Sequence, residues 1–332
     1  MILHPAILAL LVVSLLTSFM VLYAGWYGVR ILLRWDIRSG SELQLSLERR
    51  TYLISTILSY VLAFQLLSLF LFIYTADHLH SLFAGAMCAA GTLNVNGFGY
   101  PLLITKVVNF LLASLWLIVN HADTRGYDYP LIKVKYALLT AMAPLVLLEV
   151  VLQFGYFTGL HADVITSCCG SLFSLERPGI AADLTSFPSG LMKVVFYSGM
   201  ALTAATGLSF WRTGRGGYLF SVLSCLAFAI SAASLISFIC LYFYELPTHH
   251  CPFCILQKEY GYVGYALYTT LLGGGVTGLA TGALMPFRNR ASMVKIIPSL
   301  QRRLALATVL LYALFTAVVS YQMLTSSLKL GV

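Results

Sequence analysis

The chain has 332 residues, of which 59% are hydrophobic and 10% charged, with a formal net charge of +8 and a mean hydropathy of +0.87. Soluble domains carry roughly 25% charged residues, so a water-soluble globule is excluded. The basic residues stand singly or in pairs beside apolar runs and not in a patch interleaved with aromatics, which removes nucleic acid as a partner and leaves the charge to membrane topology.

Apolar runs long enough to cross a bilayer, on the order of 20 residues each, predict helices near 5–33, 52–75, 103–120, 136–157, 190–211, 218–245, 261–285 and 304–327. Together they describe one integral membrane domain over 1–332: an all-α, polytopic transmembrane bundle of about eight helices in a lipid bilayer. No basic segment precedes the first run and no small-residue cleavage site stands out after it, so the first helix is expected to be kept. All but five of the 20 basic residues fall in the connections after helices one, three, five and seven. The five others, Lys106, Arg177, Lys193, Lys258 and Lys329, fall on the opposite side. The positive-inside rule makes that side the exterior, which places both termini outside the cytoplasm of a cell (inner) membrane.

In chain order, the segment near 76–102 is the first long exterior connection. Within it, 82–87 is expected to form a re-entrant or interfacial helix covered by protein, and Asn94–Pro101 is turn chemistry around Asn-Gly. The fourth helix holds Pro144, which is expected to kink it, and Glu149, one turn before Gln153. An ionisable residue at membrane depth is costly and reads as functional, either carrying protons or hydrogen-bonding a neighbouring helix. Cys225 and Cys240 in the sixth helix read as small buried hydrophobes. In the seventh, Gly274, Gly278 and Gly282 recur every fourth residue and mark a close helix contact.

Five of the seven cysteines, Cys88, Cys168, Cys169, Cys251 and Cys254, fall in exterior connections, and six of the seven histidines lie on the exterior side. The sharpest segment is His249-His250-Cys251-Pro252-Phe253-Cys254-Ile255-Leu256-Gln257-Lys258, ahead of the seventh helix. Proline suits the first helical position, which makes Cys251 the expected N-cap. There, unsatisfied N–H groups and the helix dipole favour a thiolate, so Cys251 is the expected nucleophile and Cys254 its resolving partner. Helical spacing would put Cys251, Cys254 and Lys258 on one face. Cys168 and Cys169, being adjacent, bond poorly to each other, so each is expected to pair with another thiol or a metal.

Cys-Pro-Phe-Cys-Ile-Leu-Gln-Lys resembles the C-x-x-C-x-x-Q/E-R segment of the DsbB disulfide-forming quinone reductases, and vitamin K epoxide reductases carry a comparable membrane-embedded pair. The resemblance covers about ten residues. It implies that Cys251 and Cys254 are the quinone-proximal pair and that Lys258 stands where the family has Arg, stabilising the thiolate or the reduced quinone. Gln257 and Tyr262, one of several tyrosines crowding the outer ends of helices six and seven, would border the quinone. No cysteine pair follows the motif, so relay to an extracytoplasmic thiol protein falls to Cys88 with Cys168 or Cys169, and Glu149 is a proton-donor candidate. Two other readings stand beside this one. Cys168, Cys169, Cys251, Cys254, His249 and His250 also suit a soft-metal site for copper, zinc or mercury. The cysteines would alternatively be disulfide staples in a membrane anchor subunit of a redox complex.

Overall fold

The computed structural model of the protein describes residues 3–37, 39–161, 164–166 and 188–329. Among the described residues there is no strand, and eight helices are long and apolar enough to cross a membrane. The elements are α1 (Pro5–Arg34), α2 (Glu42–His78), α3 (Ala89–Leu93), α4 (Gly99–Asp123), α5 (Ile132–Thr158), α6 (Ser189–Thr213), α7 (Gly217–Ser234), α8 (Cys240–Tyr244), α9 (Val263–Ala283) and α10 (Ile296–Thr325). A single π-helical turn, Leu235–Ile239, joins α7 to α8, so the two form one span. The chain divides into two compact units, each with four spans.

One unit comprises Met1–Thr75, Val95–His161 and Phe287–Ile297. Its core is built from Val21, Tyr27, Leu58, Trp116, Tyr136 and Met142 on α1, α2, α4 and α5. Gly28 lets α1 approach α5 so closely that an added Cβ would press on Tyr136 and Thr140 at 3.1 Å. Polar groups are turned inward: Lys106 pairs with Glu149 at 2.6 Å and Lys135 with Asp123 at 2.7 Å. Phe19, Phe64 and Leu67, each at least 60% exposed, line the outside. A polar interior wrapped in exposed apolar side chains is the arrangement for lipid as solvent, and the protein is a multi-pass membrane protein.

The second unit comprises Ala76–Asn94, Ala162–Pro286 and Pro298–Val332. Phe196 of α6 packs edge-on against Phe238 and tilted against Phe315 of α10. The predicted glycine stripe is its tightest seam: a Cβ at Gly274 would run into the Tyr312 ring, and at Gly278 and Gly282 into Ser224 and Ser221 of α7.

The expected spans are present, with three differences. Helix α2 begins ten residues before 52, because Ser41 Oγ accepts from Gln44 N at 3.3 Å and the polar stretch that follows is rich in good helix formers. Helix α10 begins at Ile296, with Pro298 in its first turn, where a missing N–H costs nothing. No helix forms over 82–87; the chain makes a 3₁₀ turn at His80–Leu82 and the short α3 at Ala89–Leu93. Gly85 sits there at φ +87°, its Cα against the Thr166 carbonyl, a conformation and a closeness that a side chain would forbid.

Candidate functional site

Three sulfurs converge in the second unit. Cys88 Sγ lies 3.6 Å from Cys251 Sγ, and the sulfurs of Cys88, Cys251 and Cys254 all lie within 4.8 Å of one another. Cys88 and Cys251 are fully buried and Cys254 is 5% exposed.

Cys88 is the N-cap residue of α3. It is held from below by Asp77, whose Oδ1 accepts from Ala89 N at 3.1 Å and from Gln257 Nε2 at 3.3 Å. The other amide hydrogen of Gln257 goes to Met87 O at 2.8 Å. One buried carboxylate and one amide thus tie the Cys88 loop to the segment just after Cys254. A second strap comes from Thr166, two residues ahead of Cys168 in the chain. Its N–H donates to Ala84 O at 3.0 Å and its hydroxyl to Gly91 O at 2.8 Å.

Two tyrosines latch the backbone of the C-x-x-C loop. Tyr244 OH donates to Cys251 O at 2.5 Å and accepts from Ile255 N at 2.9 Å, while Tyr268 OH donates to Pro252 O at 2.5 Å. His250 Nδ1 meets the Ile236 carbonyl at 2.8 Å, inside the π turn. A π turn leaves a carbonyl outside the regular i to i+4 ladder, and here a loop side chain uses it. His249 Nε2 lies 3.3 Å from Cys254 Sγ, and its ring stands edge-on to Tyr244 at 4.5 Å. Cys240 of α8 is fully buried and stands one turn before Tyr244 on the same helix. Tyr260 packs edge-on to Tyr244 at 4.8 Å. Partial burial raises its phenol above the ordinary tyrosine value, and Cys254 and Glu259 add to the shift.

Several expectations change. Cys251 is not a helix N-cap: Pro252 and Phe253 form a bend, two 3₁₀ turns follow at Cys254–Leu256 and Lys258–Tyr260, and α9 starts only at Val263 behind Tyr262. The reason lies at Gln257, whose extended backbone (φ −80°, ψ 161°) breaks the helical path while its side chain reaches Asp77 and Met87. The shared helical face for Cys251, Cys254 and Lys258 is lost with it, and the helix dipole no longer acts on Cys251. Lys258 is exposed. Tyr262 is 46% exposed at φ +57°. Gln257 has both amide hydrogens committed to the protein. Cys168 and Cys169 lie outside the described residues.

Glu149 belongs to the first unit, where it is 1% exposed. Beside Lys106, it accepts from Gln65 Nε2 and Asn109 Nδ2, both at 2.6 Å. Both carboxylate oxygens are therefore occupied as acceptors in a cluster joining α2, α4 and α5. Lys106 is accordingly the buried partner of Glu149. Sequence reasoning did not single out Asp77, did not place Tyr244 and Tyr268 at the cysteines, and read Cys240 as inert. The spacing of Cys240 and Tyr244, four apart on one helix, was the only available signal.

Comparison of the chain with protein-family models, curated proteins and solved structures returns no match.

Proposed function

We propose that this protein is a membrane thiol–disulfide oxidoreductase that draws electrons from an extracytoplasmic dithiol protein and passes them to a quinone, with Cys88, Cys251 and Cys254 as its reaction centre. The observation that carries the reading is the 3.6 Å approach of Cys88 to Cys251. It joins a loop cysteine to a C-x-x-C pair 163 positions away, at a distance from which one sulfur can attack another.

With Cys251 and Cys254 joined as a disulfide, the Cys88 thiolate attacks Cys251 Sγ; the Cys88–Cys251 bond forms and Cys254 leaves as a thiolate. His249 Nε2, at 3.3 Å, is placed to donate a proton to that leaving sulfur. A thiolate of Cys168 or Cys169 then attacks Cys88 and releases Cys251. The disulfide so made oxidises the external dithiol. The Cys251–Cys254 dithiol gives two electrons and two protons to the quinone, which leaves as quinol, and the pair is a disulfide again. In this scheme Cys251, the sulfur nearest Cys88, is the exchanging sulfur, and Cys254, beside the imidazole, is the one that hands electrons to the quinone. Lys258 and Tyr262, both accessible, fit a quinone's carbonyl and ring; Gln257 is a positioning residue. On the distribution of basic residues, the centre faces the exterior of the inner membrane.

The test is quinone-dependent thiol oxidation in membranes. Cys251→Ser and Cys254→Ser are expected to abolish it, and unchanged oxidation in both would dismiss the mechanism.

The sulfur cluster favours a second reading. Cys88, Cys251 and Cys254, with sulfurs within 4.8 Å of one another, form a thiolate donor set for zinc or copper, and the 3.6 Å Cys88–Cys251 spacing is close to the edge of about 3.8 Å of a tetrahedron with metal–sulfur bonds of about 2.3 Å. Stoichiometric metal surviving purification, and lost in Cys88→Ser, would favour this reading.

A further inference from the structure

At one end of the first unit, the last turns of α1 and the first turns of α2 enclose a cavity of about 180 Å³ lined by Tyr27, Arg30, Arg34, Ser46, Leu47 and Arg50. Three guanidinium groups from two helices thus surround one small space. The two salt bridges among the described residues, Lys106–Glu149 and Lys135–Asp123, lie elsewhere, so no carboxylate among the described residues forms an ion pair with these three. Concentrating three positive charges costs energy unless an anion joins them.

The arginines are also oriented. Arg30 stacks over the Trp26 ring at 3.9 Å. Arg50 donates to Tyr27 OH and lies 5.5 Å over the same ring. Stacking occupies the face of a guanidinium and leaves its in-plane N–H fork to grip an oxyanion in bidentate fashion. The surroundings indicate where that anion resides. Tyr23 and Trp26, 46% and 53% exposed, sit on α1 just before the arginines, as interfacial aromatics do, and Leu33, Leu43 and Leu45 beside the cavity are exposed apolar surface.

We infer that this pocket binds the phosphate-bearing headgroup of an anionic membrane lipid. The shared chemistry is a phosphate oxyanion; the flanking aromatic and apolar side chains favour one attached to acyl chains over one free in water. The inference is independent of the cysteine chemistry, whose residues all lie in the other unit.

The test is native mass spectrometry of the full chain released from nanodiscs made of equal parts phosphatidylcholine and phosphatidylglycerol. The wild-type protein is expected to retain phosphatidylglycerol selectively, and Arg34→Gln with Arg50→Gln to cut that retention about 30-fold. Arg212→Gln with Arg215→Gln, which removes the same charge elsewhere, is expected to leave it nearly unchanged. Equal loss in both pairs, or equal retention of phosphatidylcholine by the wild type, overturns the proposal. Inorganic phosphate that raises the Tm of the wild-type protein in phosphatidylcholine alone as much as phosphatidylglycerol does would assign the pocket to a soluble anion and overturn the lipid. Should the Gln pair fail to fold, Arg34→Lys with Arg50→Lys keeps the charges but loses the planar fork: reduced retention supports the site, and undiminished retention contradicts it.

Discussion

Tyr244→Phe removes a single oxygen and isolates what the latch contributes. The phenylalanine ring keeps the edge contacts with His249 at 4.5 Å and Tyr260 at 4.8 Å, so packing is largely conserved. Two buried groups lose their partner: the Cys251 carbonyl, which accepts at 2.5 Å, and the Ile255 N–H, which donates at 2.9 Å. Each orphaned group costs about 1–3 kcal/mol, about 2–6 kcal/mol together. Even the lower end corresponds to about a 30-fold rise in the population of an opened C-x-x-C loop. Hydrogen exchange read at the Ile255 amide in nanodiscs measures that opening directly, and alkylation of Cys251 in the reduced protein follows it through the neighbouring sulfur. Exchange at Ile255 within about threefold of wild type would show that the loop is held by something else.

Removing one member of the buried pair in Lys106→Met should cost about 3–5 kcal/mol, because the Glu149 carboxylate is left without its cation; adding Glu149→Gln should recover most of the loss, as read by denaturant unfolding in micelles. Gly278→Ala drives a methyl into Ser224, so a cost of about 1–3 kcal/mol is expected; Ser224→Gly in the same chain should restore the Tm. At the end of α8, the Glu245 carboxylate accepts from Ser327 N at 2.8 Å and Ser327 Oγ at 2.9 Å, bonds that hold it below the usual carboxylate range. A carboxylate whose pKa is lower folded than unfolded contributes its tether fully above the unfolded value of about 4.3. The contribution fades as the pH falls through the folded value. Protection of the Ser327 amide should therefore be lost on acidification, and already be weak at neutral pH in Glu245→Ala.

Much of the architecture was legible because a span announces itself by length and hydropathy, and the Gly274, Gly278 and Gly282 stripe by its period of four. The start of α2 was not, since residues 42–51 are polar yet helical, and hydropathy marks where lipid begins but not where a helix does. At the site, the C-x-x-C segment pointed to two of the three clustered cysteines and to the wrong local structure. Proline after cysteine fits a helix start and a bend equally well, and the choice was made by contacts from afar: Gln257 to Asp77, Tyr268 to Pro252, Tyr244 to Cys251. Such pairings have no period in the sequence. Cys88 emerged as a relay candidate only by counting the cysteines left over, and its distance to Cys251 needed the fold. The partner of Lys106 was hidden for the same reason, because a topology count gives a lysine a side of the membrane but not the glutamate on another helix with which it pairs.

The central claim is tested most directly by reducing the purified protein under metal-free conditions, adding a soluble quinone, and following Cys88, Cys251 and Cys254 by differential alkylation and peptide mass spectrometry. The account predicts rapid pairing of Cys251 with Cys254, then passage of the disulfide to Cys88. Sulfurs that stay reduced in quinone, yet resist alkylation once stoichiometric zinc or copper is added, would contradict it and identify the cluster as a metal site.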